Sequence, residues 1–305
     1  MNLTTMLDSC DSHLRNELDT MPDVEDVDDF DPTSQVPPIV ARRWLRVTNA
    51  VAVVADLKSS TKLGLNKNAR STASIYEAAL RPIVDIFHEF DAGWIPIQGD
   101  CVIGIFWNEL AIERAMCAGI TAKTFSERHL VNRLRRKWPE LPDTGLNIGV
   151  ATSTLLVKRI GRPASPHQAM VWPGKALNYA VKAAQSGNTG QLIVTGSIWD
   201  AIESNDYLTF TCDCKSPSPS LWHDHNIDRL EHDDVERTGR CLTSIWCLNC
   251  GEGFCERILA GDTHRKSVDP YRSALQKSLF QDTLAKKHAQ DRRNRRNLRQ
   301  ARTGR

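Results

Sequence analysis

The chain has 305 residues, of which 41% are hydrophobic, and its formal net charge is +2 at pH 7. This length allows one sizeable hydrophobic core and a small additional unit. No apolar run reaches the roughly 20 residues of a membrane-spanning helix, and no signal peptide precedes the acidic beginning, so we predict a cytoplasmic protein without a membrane partner. Acidic residues concentrate in 8–31 and basic residues in 286–305. Charged ends of this kind are usually solvated segments, so nucleic acid is not the expected partner.

Strands and helices alternate along most of the chain. Residues 1–40 are acidic and end at two prolines, which is typical of a flexible segment. The apolar and periodic stretches after it predict, in order, a strand at 50–56, a helix at 68–90, a hairpin at 94–106, a helix at 109–136, a strand at 145–151, a helix at 174–186, a strand at 191–195 and a helical turn at 197–202. This alternation, with one hairpin, predicts an α/β or α+β sandwich.

The run from Val51 to Ala55 is apolar throughout and leads directly into Asp56. A continuous apolar run of this kind predicts a strand that is buried on both faces. A carboxylate at the end of such a strand is costly to bury unless a cation or hydrogen-bond donors meet it. Asp56 therefore either caps the turn that follows, as turn aspartates usually do, or helps to bind a cation.

A second aspartate, Asp100, lies at the tip of the predicted hairpin. Adjacent strands lie about 5 Å apart, so Asp56 and Asp100 can converge on one pair of divalent ions. A turn at Gly174 opens a predicted helix in which Asn178 and Lys182, four residues apart, share one face. An amide and a cation that project together suit a sugar oxygen and a phosphate oxygen.

Together these elements resemble the class III nucleotidyl cyclases. The resemblance covers residues 45–200 and rests on three motifs: Asp56, Leu57 and Thr61; Gly99 and Asp100; and Gly174, Asn178, Ala180 and Lys182. It implies an α+β fold with a ferredoxin-like βαββαβ catalytic domain. The implied domains are a flexible acidic segment at 1–40, the cyclase catalytic domain at 41–205, a Cys/His-rich module at 206–265 and a basic tail at 266–305.

The implied enzyme is a phosphorus–oxygen lyase in which the ribose 3′-oxygen attacks the α-phosphorus of a nucleoside triphosphate and pyrophosphate leaves. The family's pattern implies that Asp56, Asp100 and the backbone carbonyl of Leu57 hold two ions, Mn²⁺ or Mg²⁺. One ion lowers the pKa of the attacking hydroxyl and the other neutralises the triphosphate. The turn that contains Ser59, Ser60 and Thr61 enters the next helix, so its amides are expected to face the phosphates.

Two further roles follow from the same resemblance. Asn178 is expected to orient the ribose, and Lys182 stands where the family has an arginine that stabilises the transition state. Lysine supplies the charge without the bidentate fork of arginine, so this stabilisation is either weaker or shared. Arg240 is a candidate for a second phosphate-binding cation, and a solvated loop arginine is the alternative interpretation.

The residues that would read the base depart most from the family. Adenylate and guanylate cyclases carry hydrogen-bonding side chains at the positions of Pro96 and Val171, where this chain has none. An apolar pocket flanked by Trp94 and Trp172 is expected to select a smaller base. The pattern resembles the Pycsar-type pyrimidine cyclases of bacterial antiphage defence, which make cyclic UMP or cyclic CMP, so UTP is the first choice of substrate and CTP the second.

Six of the nine cysteines lie between residues 212 and 255. Cys247 and Cys250 have the Cys-x-x-Cys spacing of a zinc half-site, and Cys212 with Cys214 can supply the other half of a structural zinc site. Cys255 and His225 are alternative ligands, while free buried cysteines and surface histidines are the simpler interpretation. A cysteine-rich C-terminal module also agrees with the resemblance to the bacterial defence cyclases.

The family builds each site from two protomers, so one catalytic domain per chain implies a head-to-tail homodimer with two sites. A cyclic-nucleotide-activated effector would act downstream. Rival interpretations are an adenylate or guanylate cyclase of the same fold, an inactive nucleotide-binding domain, a diguanylate-cyclase-like or polymerase-palm enzyme, and a zinc-dependent nucleic-acid binder. Lys182 and Pro96 favour the inactive domain, whereas the retention of Asp56, Asp100 and Asn178 argues against it.

Overall fold

A nine-stranded mixed sheet organises the part of the chain that the structure describes, namely residues 2–64, 67–214 and 216–273. The structure is a computed structural model. The strands are β1 (Asp23–Val27), β2 (Arg43–Leu57), β3 (Ile97–Gln98), β4 (Cys101–Phe106), β5 (Leu146–Gly161), β6 (Gln168–Val171), β7 (Leu192–Val194), β8 (Trp222–Asn226) and β9 (Thr238–Leu242). Their order is β3-β4-β2-β5-β7-β9-β8, with β1 beside β2 and β6 beside β5.

Helices cover both faces of this sheet. They are α1 (Leu3–Asp19), α2 (Ser60–Leu63), α3 (Ala69–Glu89), α4 (Ala111–Phe125), α5 (Val131–Lys137), α6 (Lys175–Ser186), α7 (Gly196–Ile202), α8 (Asp206–Thr209) and α9 (Gly251–Leu259). A π-helical turn at Ser126–Leu130 joins α4 to α5, so the helix predicted at 109–136 is one continuous helical segment with a local change of pitch. Helices combined with a mixed sheet make the α+β fold that the sequence predicted.

Strand β2 lies inside the sheet because its apolar run is buried on both faces. The residues from Val51 to Ala55 are each at most 1% exposed. Successive side chains of a strand point to opposite faces, so Val51 and Val53 pack with α3 and α4, while Ala52 and Val54 pack with α6. The two-sided burial predicted from this run is confirmed.

Helix α6 approaches the sheet closely through small side chains. Ala176, Ala180 and Ala184 are buried against β2 and β5. A Cβ atom at Gly149 would lie 1.9 Å from the carbonyl oxygen of Ala180, so the contact requires glycine in β5. This contact turns the opposite side of α6, which carries Asn178 and Lys182, away from the sheet.

The N-terminal residues differ from the flexible segment that the sequence predicted at 1–40. They form α1, and then β1, which pairs in parallel with the beginning of β2. Two arginines of β2 form ion pairs with acidic residues of β1, so part of the acidic charge is compensated. Phe30 is buried, and its ring stacks on Trp107 with 4.8 Å between the ring centroids. Long-range pairing and burial of this aromatic ring order a stretch whose composition alone suggested a flexible segment.

The C-terminal module continues the central sheet. Strand β9 pairs with β7, and β8 pairs with β9, so residues after 206 add two strands to the sheet of the catalytic domain. Strand β5 is also longer than the predicted strand at 145–151, and it turns into β6 as a hairpin. Most of the basic tail predicted at 266–305 lies outside the described residues. Within residues 2–64, 67–214 and 216–273, no helix has both the length and the apolar character needed to cross a membrane.

Candidate active site

Asp56 and Asp100 come together at the end of the β2–β4 pair. Asp56 is directly opposite Cys101 in the antiparallel register, one residue after the hairpin tip. The amide of Leu57 donates a hydrogen bond to the carbonyl oxygen of Asp100 at 3.2 Å. Gly99 has φ +65°, a conformation that glycine adopts without strain, and this turns the chain so that Asp100 is next to β2. The convergence predicted from two separate motifs is present in the fold.

The two carboxylates repel each other electrostatically. Burial raises the pKa of Asp56 and the charge of Asp100 raises it further, while Lys58 lowers it. Burial, and then the charges of the same two carboxylates, raise the pKa of the Cys101 thiol to about 12, so this thiol stays neutral. Lys58 has a smaller effect on the pKa of Asp56 than burial and Asp100 do, so the negative charge of the pair is not fully compensated. Carboxylate oxygens are the ligands that Mg²⁺ and Mn²⁺ prefer. The residues present therefore fit a divalent cation.

Two hydrogen bonds from the residues just before β5 fix the turn that follows Asp56. The amide of Lys58 donates to the carbonyl oxygen of Gly145 at 2.9 Å, and the hydroxyl of Thr144 donates to the carbonyl oxygen of Lys58 at 2.7 Å. Ser59 has φ +63° and precedes α2, which begins at Ser60. The predicted phosphate-binding residues, Ser59 to Thr61, thus lie on a fixed turn directly beside Asp56.

Asn178 and Lys182 lie on the solvent side of α6. The start of this helix is fixed by Ser153, whose hydroxyl oxygen accepts the amide of Ala176 at 2.7 Å. The Asn178 side chain is exposed and donates to the carbonyl oxygen of Gly174 at 3.3 Å. Lys182 is half-buried, and its Nζ lies 5.6 Å from the ring centroid of Tyr179. The amide and the cation share one face, as the four-residue spacing predicted.

The structure does not join these two groups within one chain. Among the residues described in 2–64, 67–214 and 216–273, no hydrogen bond or ion pair connects Asn178 or Lys182 with Asp56 or Asp100. A cavity of about 670 Å³ lies beside Val47, Thr48 and Asn49 of β2, and none of the four predicted site residues lines it. In the described part of one chain, the two pairs of predicted site residues therefore make no direct contact.

The residues predicted to surround the base have different environments. Pro96 is half-buried, and its carbonyl oxygen accepts the amide of Ile103 at 3.0 Å. Val171 is half-buried at the end of β6, opposite Lys158. Their roles in base selection stay predictions.

Trp94 and Trp172, the two tryptophans expected to flank the base, both pack into one aromatic cluster. Trp172 is 6% exposed and packs against Phe30 and Trp107, with ring centroids 6.0 and 5.6 Å away. Trp94 is partly buried against the same cluster. The N-terminal segment places Phe30 against Trp172, which buries most of the indole. The role of Trp172 beside a base stays a prediction.

Arg240 lies in strand β9 and not in a basic loop. Its Nη1 forms an ion pair with Asp224 of β8 at 2.6 Å, and its guanidinium lies 5.1 Å from the ring centroid of Trp199. The register places Arg240 opposite Val194 of β7, three strands away from β2. A phosphate role for Arg240 stays a prediction, and it would require competition with Asp224.

The four predicted zinc ligands form a cluster. The Sγ atoms of Cys212, Cys214, Cys247 and Cys250 all lie within 4.8 Å of one another. The alternative ligands are elsewhere: Cys255 interacts with the buried Cys117, and the Nε2 atom of His225 lies 2.9 Å from the hydroxyl of Ser186.

Asn147 is a residue of the site that the sequence analysis missed. It lies opposite Asp56 in the β2–β5 register and is fully buried. Its amide donates to the carbonyl oxygens of Ala184 and Gly187 at 3.1 and 3.3 Å, and its Oδ1 accepts the amide of Gly190 at 3.0 Å. The signal was a single asparagine inside an apolar strand, a position where a buried amide requires partners.

Comparison with known proteins places the chain among nucleotidyl cyclases. A protein named uridylate cyclase from Micromonospora echinofusca is 47% identical over 97% of this chain and 96% of its own length. A second uridylate cyclase, from Propioniciclava tarda, is 42% identical over 95% and 94%. No protein-family model matches the chain.

A solved structure supports the fold. The adenylyl cyclase CyaB from P. aeruginosa superposes with a TM-score of 0.53 at 14% identity, covering 67% of this chain and 97% of that one. This confirms the predicted class III catalytic fold, while the near-full-length relatives show the family. The chain therefore belongs to the same family as the proteins named uridylate cyclase, and it is a nucleotidyl cyclase, a phosphorus–oxygen lyase, with the class III catalytic fold.

Proposed function

We propose that this enzyme converts UTP into 3′,5′-cyclic UMP and pyrophosphate. The observation that carries the proposal is the convergence of Asp56 and Asp100 at the end of the β2–β4 pair. Two relatives of nearly full length are named uridylate cyclase, which supports UTP before CTP. Pro96 and Val171 lack side chains that hydrogen-bond a purine edge, which also favours a pyrimidine.

Asp56, Asp100 and the carbonyl oxygen of Leu57 would hold two divalent ions, Mn²⁺ or Mg²⁺. When bound, such ions favour the ionised form of the attacking hydroxyl and neutralise charge on the triphosphate. The mutual repulsion of the two carboxylates supports this assignment, because a bound cation would remove it.

The remaining residues position the nucleotide for an intramolecular displacement. A bond forms between the ribose 3′-oxygen and the α-phosphorus, the bond from the α-phosphorus to the bridging oxygen breaks, and the hydroxyl proton leaves for solvent. Asn178 orients the ribose, and Lys182 neutralises charge that develops on the α-phosphoryl oxygens. The turn from Ser59 to Thr61 binds the β- and γ-phosphates through its amides.

The active enzyme is a head-to-tail homodimer. Asn178 and Lys182 lie on the solvent side of α6 and make no contact with Asp56 or Asp100 among the described residues of one chain. In such a dimer, the carboxylates of each protomer would face Asn178 and Lys182 of the other protomer. Two equal sites would result, because a two-fold interface repeats each contact. We propose that the dimer works in the cytoplasm, whose reducing conditions suit nine cysteines without disulfides among them. Its product would activate an effector in bacterial antiphage defence.

The substrate is tested by incubating the purified full chain with Mn²⁺ and each of the four nucleoside triphosphates separately, and identifying products by chromatography with mass spectrometry. We expect cyclic UMP from UTP, and less cyclic CMP from CTP. A cyclic purine nucleotide as the main product would contradict the base assignment. Absence of any cyclic product would contradict an active enzyme.

The carboxylate assignment is tested by Asp56→Asn, which keeps the shape and removes the charge. We expect product formation to fall by roughly a hundredfold or more, with an unchanged circular dichroism spectrum. Asp85→Asn is the matched control, because Asp85 is an exposed aspartate of α3 that pairs with Arg81. Full activity of Asp56→Asn would contradict the site.

A further inference from the structure

Four cysteine side chains meet in the C-terminal module, and none of them belongs to the nucleotide site described above. The Cys214 and Cys250 Sγ atoms are 3.3 Å apart, and those of Cys214 and Cys247 are 3.8 Å apart. A tetrahedral zinc site with Zn–S bonds of about 2.3 Å places its sulfur atoms about 3.8 Å from one another. We infer that Cys212, Cys214, Cys247 and Cys250 bind one zinc ion in a closed structural site.

The first half-site is a tight turn at the beginning of α9. The carbonyl oxygen of Cys247 accepts hydrogen bonds from the amides of Cys250 at 3.2 Å and Gly251 at 2.8 Å. This turn brings two side chains separated by only two residues to the same side of the backbone. The Cys-x-x-Cys spacing is common in structural zinc sites for this reason.

The second half-site is held by a buried arginine, Arg265, which is 5% exposed. Its Nη1 donates to the carbonyl oxygens of Phe210 at 3.4 Å and Thr211 at 3.0 Å, and its Nη2 pairs with Asp213 at 2.5 Å. Asp213 lies between the two cysteines of this half-site. The guanidinium also lies 4.6 Å from the ring centroid of Phe254 in α9, so one side chain contacts both halves.

The surroundings favour a metal over unliganded thiols. All four cysteines line a cavity of about 470 Å³, and none of them is fully buried, in contrast to Cys117 in the apolar core. Zinc with four thiolates carries a net charge of about −2. Arg128 lines the same cavity, and its buried Nε has no hydrogen-bond partner in the described part of the chain, so it offers a compensating charge.

The role of the site is structural, because four protein ligands leave no open coordination position for a substrate. Next to the cluster, the amide of Trp246 donates to Thr124 at 3.0 Å and its indole donates to Thr121 at 3.1 Å. Both threonines belong to α4 of the catalytic core, where Ile258 of α9 is also buried. Zinc would thus fasten the segment around Cys212 to a helix that packs on the catalytic domain.

The test is metal analysis of the full chain, purified under reducing conditions without chelators. We expect about one zinc per chain. We also expect a thiol reagent to release this zinc, which a zinc indicator in the same solution would detect. Zinc well below one per chain in protein purified with added zinc, iron in its place, or disulfides between these cysteines would each overturn the site.

Variants identify the ligands. Cys247→Ser and Cys212→Ser should lose the zinc and lower the melting temperature, whereas Cys10→Ser, at an exposed cysteine of α1, should keep both. Cys255→Ser should also keep the metal, and its loss there would overturn the ligand set. Asp56→Asn should retain one zinc while it loses cyclase activity, so a failure of this site and a failure of the nucleotide site are distinguishable.

Discussion

Lys182 is the residue that we propose to stabilise charge on the α-phosphoryl group. Its Nζ lies 5.6 Å from the ring centroid of Tyr179, and the Tyr179 hydroxyl donates to Asp234 at 2.5 Å, which fixes the ring. Lys175 lies at the same distance from the same ring, and it also lies 3.7 Å from Asp234 as an ion pair. Among the described residues Lys182 makes no ion pair, so its charge is available to a phosphate.

Removal of this charge should slow the chemical step. We expect Lys182→Ala to lower kcat by roughly 10²–10³-fold, because it removes one preorganised charge from the developing oxyanion. Lys182→Arg should keep much of the activity, since guanidinium retains the charge and can bind two oxygens. Steady-state kinetics with UTP measures both. Lys175→Ala is the control and should keep kcat near its original value; an equal loss there, or none in Lys182→Ala, would contradict the role.

At the scale of elements, the amide of Asn147 joins strand β5 to the end of helix α6. It satisfies the carbonyl oxygens of Ala184 and Gly187, and it accepts the amide of Gly190. Helix α6 is thus fixed at both ends, by Ser153 at its start and by Asn147 at its end. These two contacts fix α6, and with it Asn178, relative to strand β5, which pairs with β2 at Asp56.

We expect Asn147→Ala to lower the free energy of unfolding by about 1–3 kcal/mol, because it leaves buried backbone groups without partners. Urea denaturation followed by circular dichroism measures the change. Asn178→Ala is the matched control, since that amide is exposed and donates to the carbonyl oxygen of Gly174, the residue that precedes its own helix. The control should change stability by less than about 0.5 kcal/mol and still lose cyclase activity. The reverse pattern would contradict the two assignments.

At the scale of the whole molecule, the two halves of the proposed site make no contact with each other among the described residues of one chain. The carboxylates end the β2–β4 pair, and the amide and cation face solvent on α6. We propose that two chains together supply both halves of one active site. This proposal can be tested without a structure of the dimer.

Two inactive variants should restore activity when they are mixed. Asp56→Asn damages one half and Asn178→Ala the other, so a mixed dimer keeps one intact site. With free exchange of protomers, half of the dimers are mixed, and we expect about a quarter of the original activity. Cyclic UMP production after refolding the variants together measures it. A mixture of Asp56→Asn with Asp100→Asn should stay inactive because both changes lie in the same half. No recovery in the first mixture would contradict sites shared between protomers.

The sequence by itself determined the elements whose signals are local. The apolar run before Asp56 had to be a buried strand, the glycine before Asp100 allowed a hairpin, and the spacing of Asn178 and Lys182 placed them on one helical face. These patterns depend on residues that are near one another in the chain. They were sufficient to identify the α+β cyclase fold and the aspartate pair, which the structure brings together.

Only the tertiary structure decided which distant residues meet. It joined the acidic beginning of the chain to β2, buried Phe30 and Trp172 in one cluster, and brought the thiols of Cys212 and Cys250 together. It also gave Asn147 its three partners at and just after the end of α6. Each of these contacts links segments separated by tens of residues, and their stability comes from pairing and burial that a local pattern does not contain.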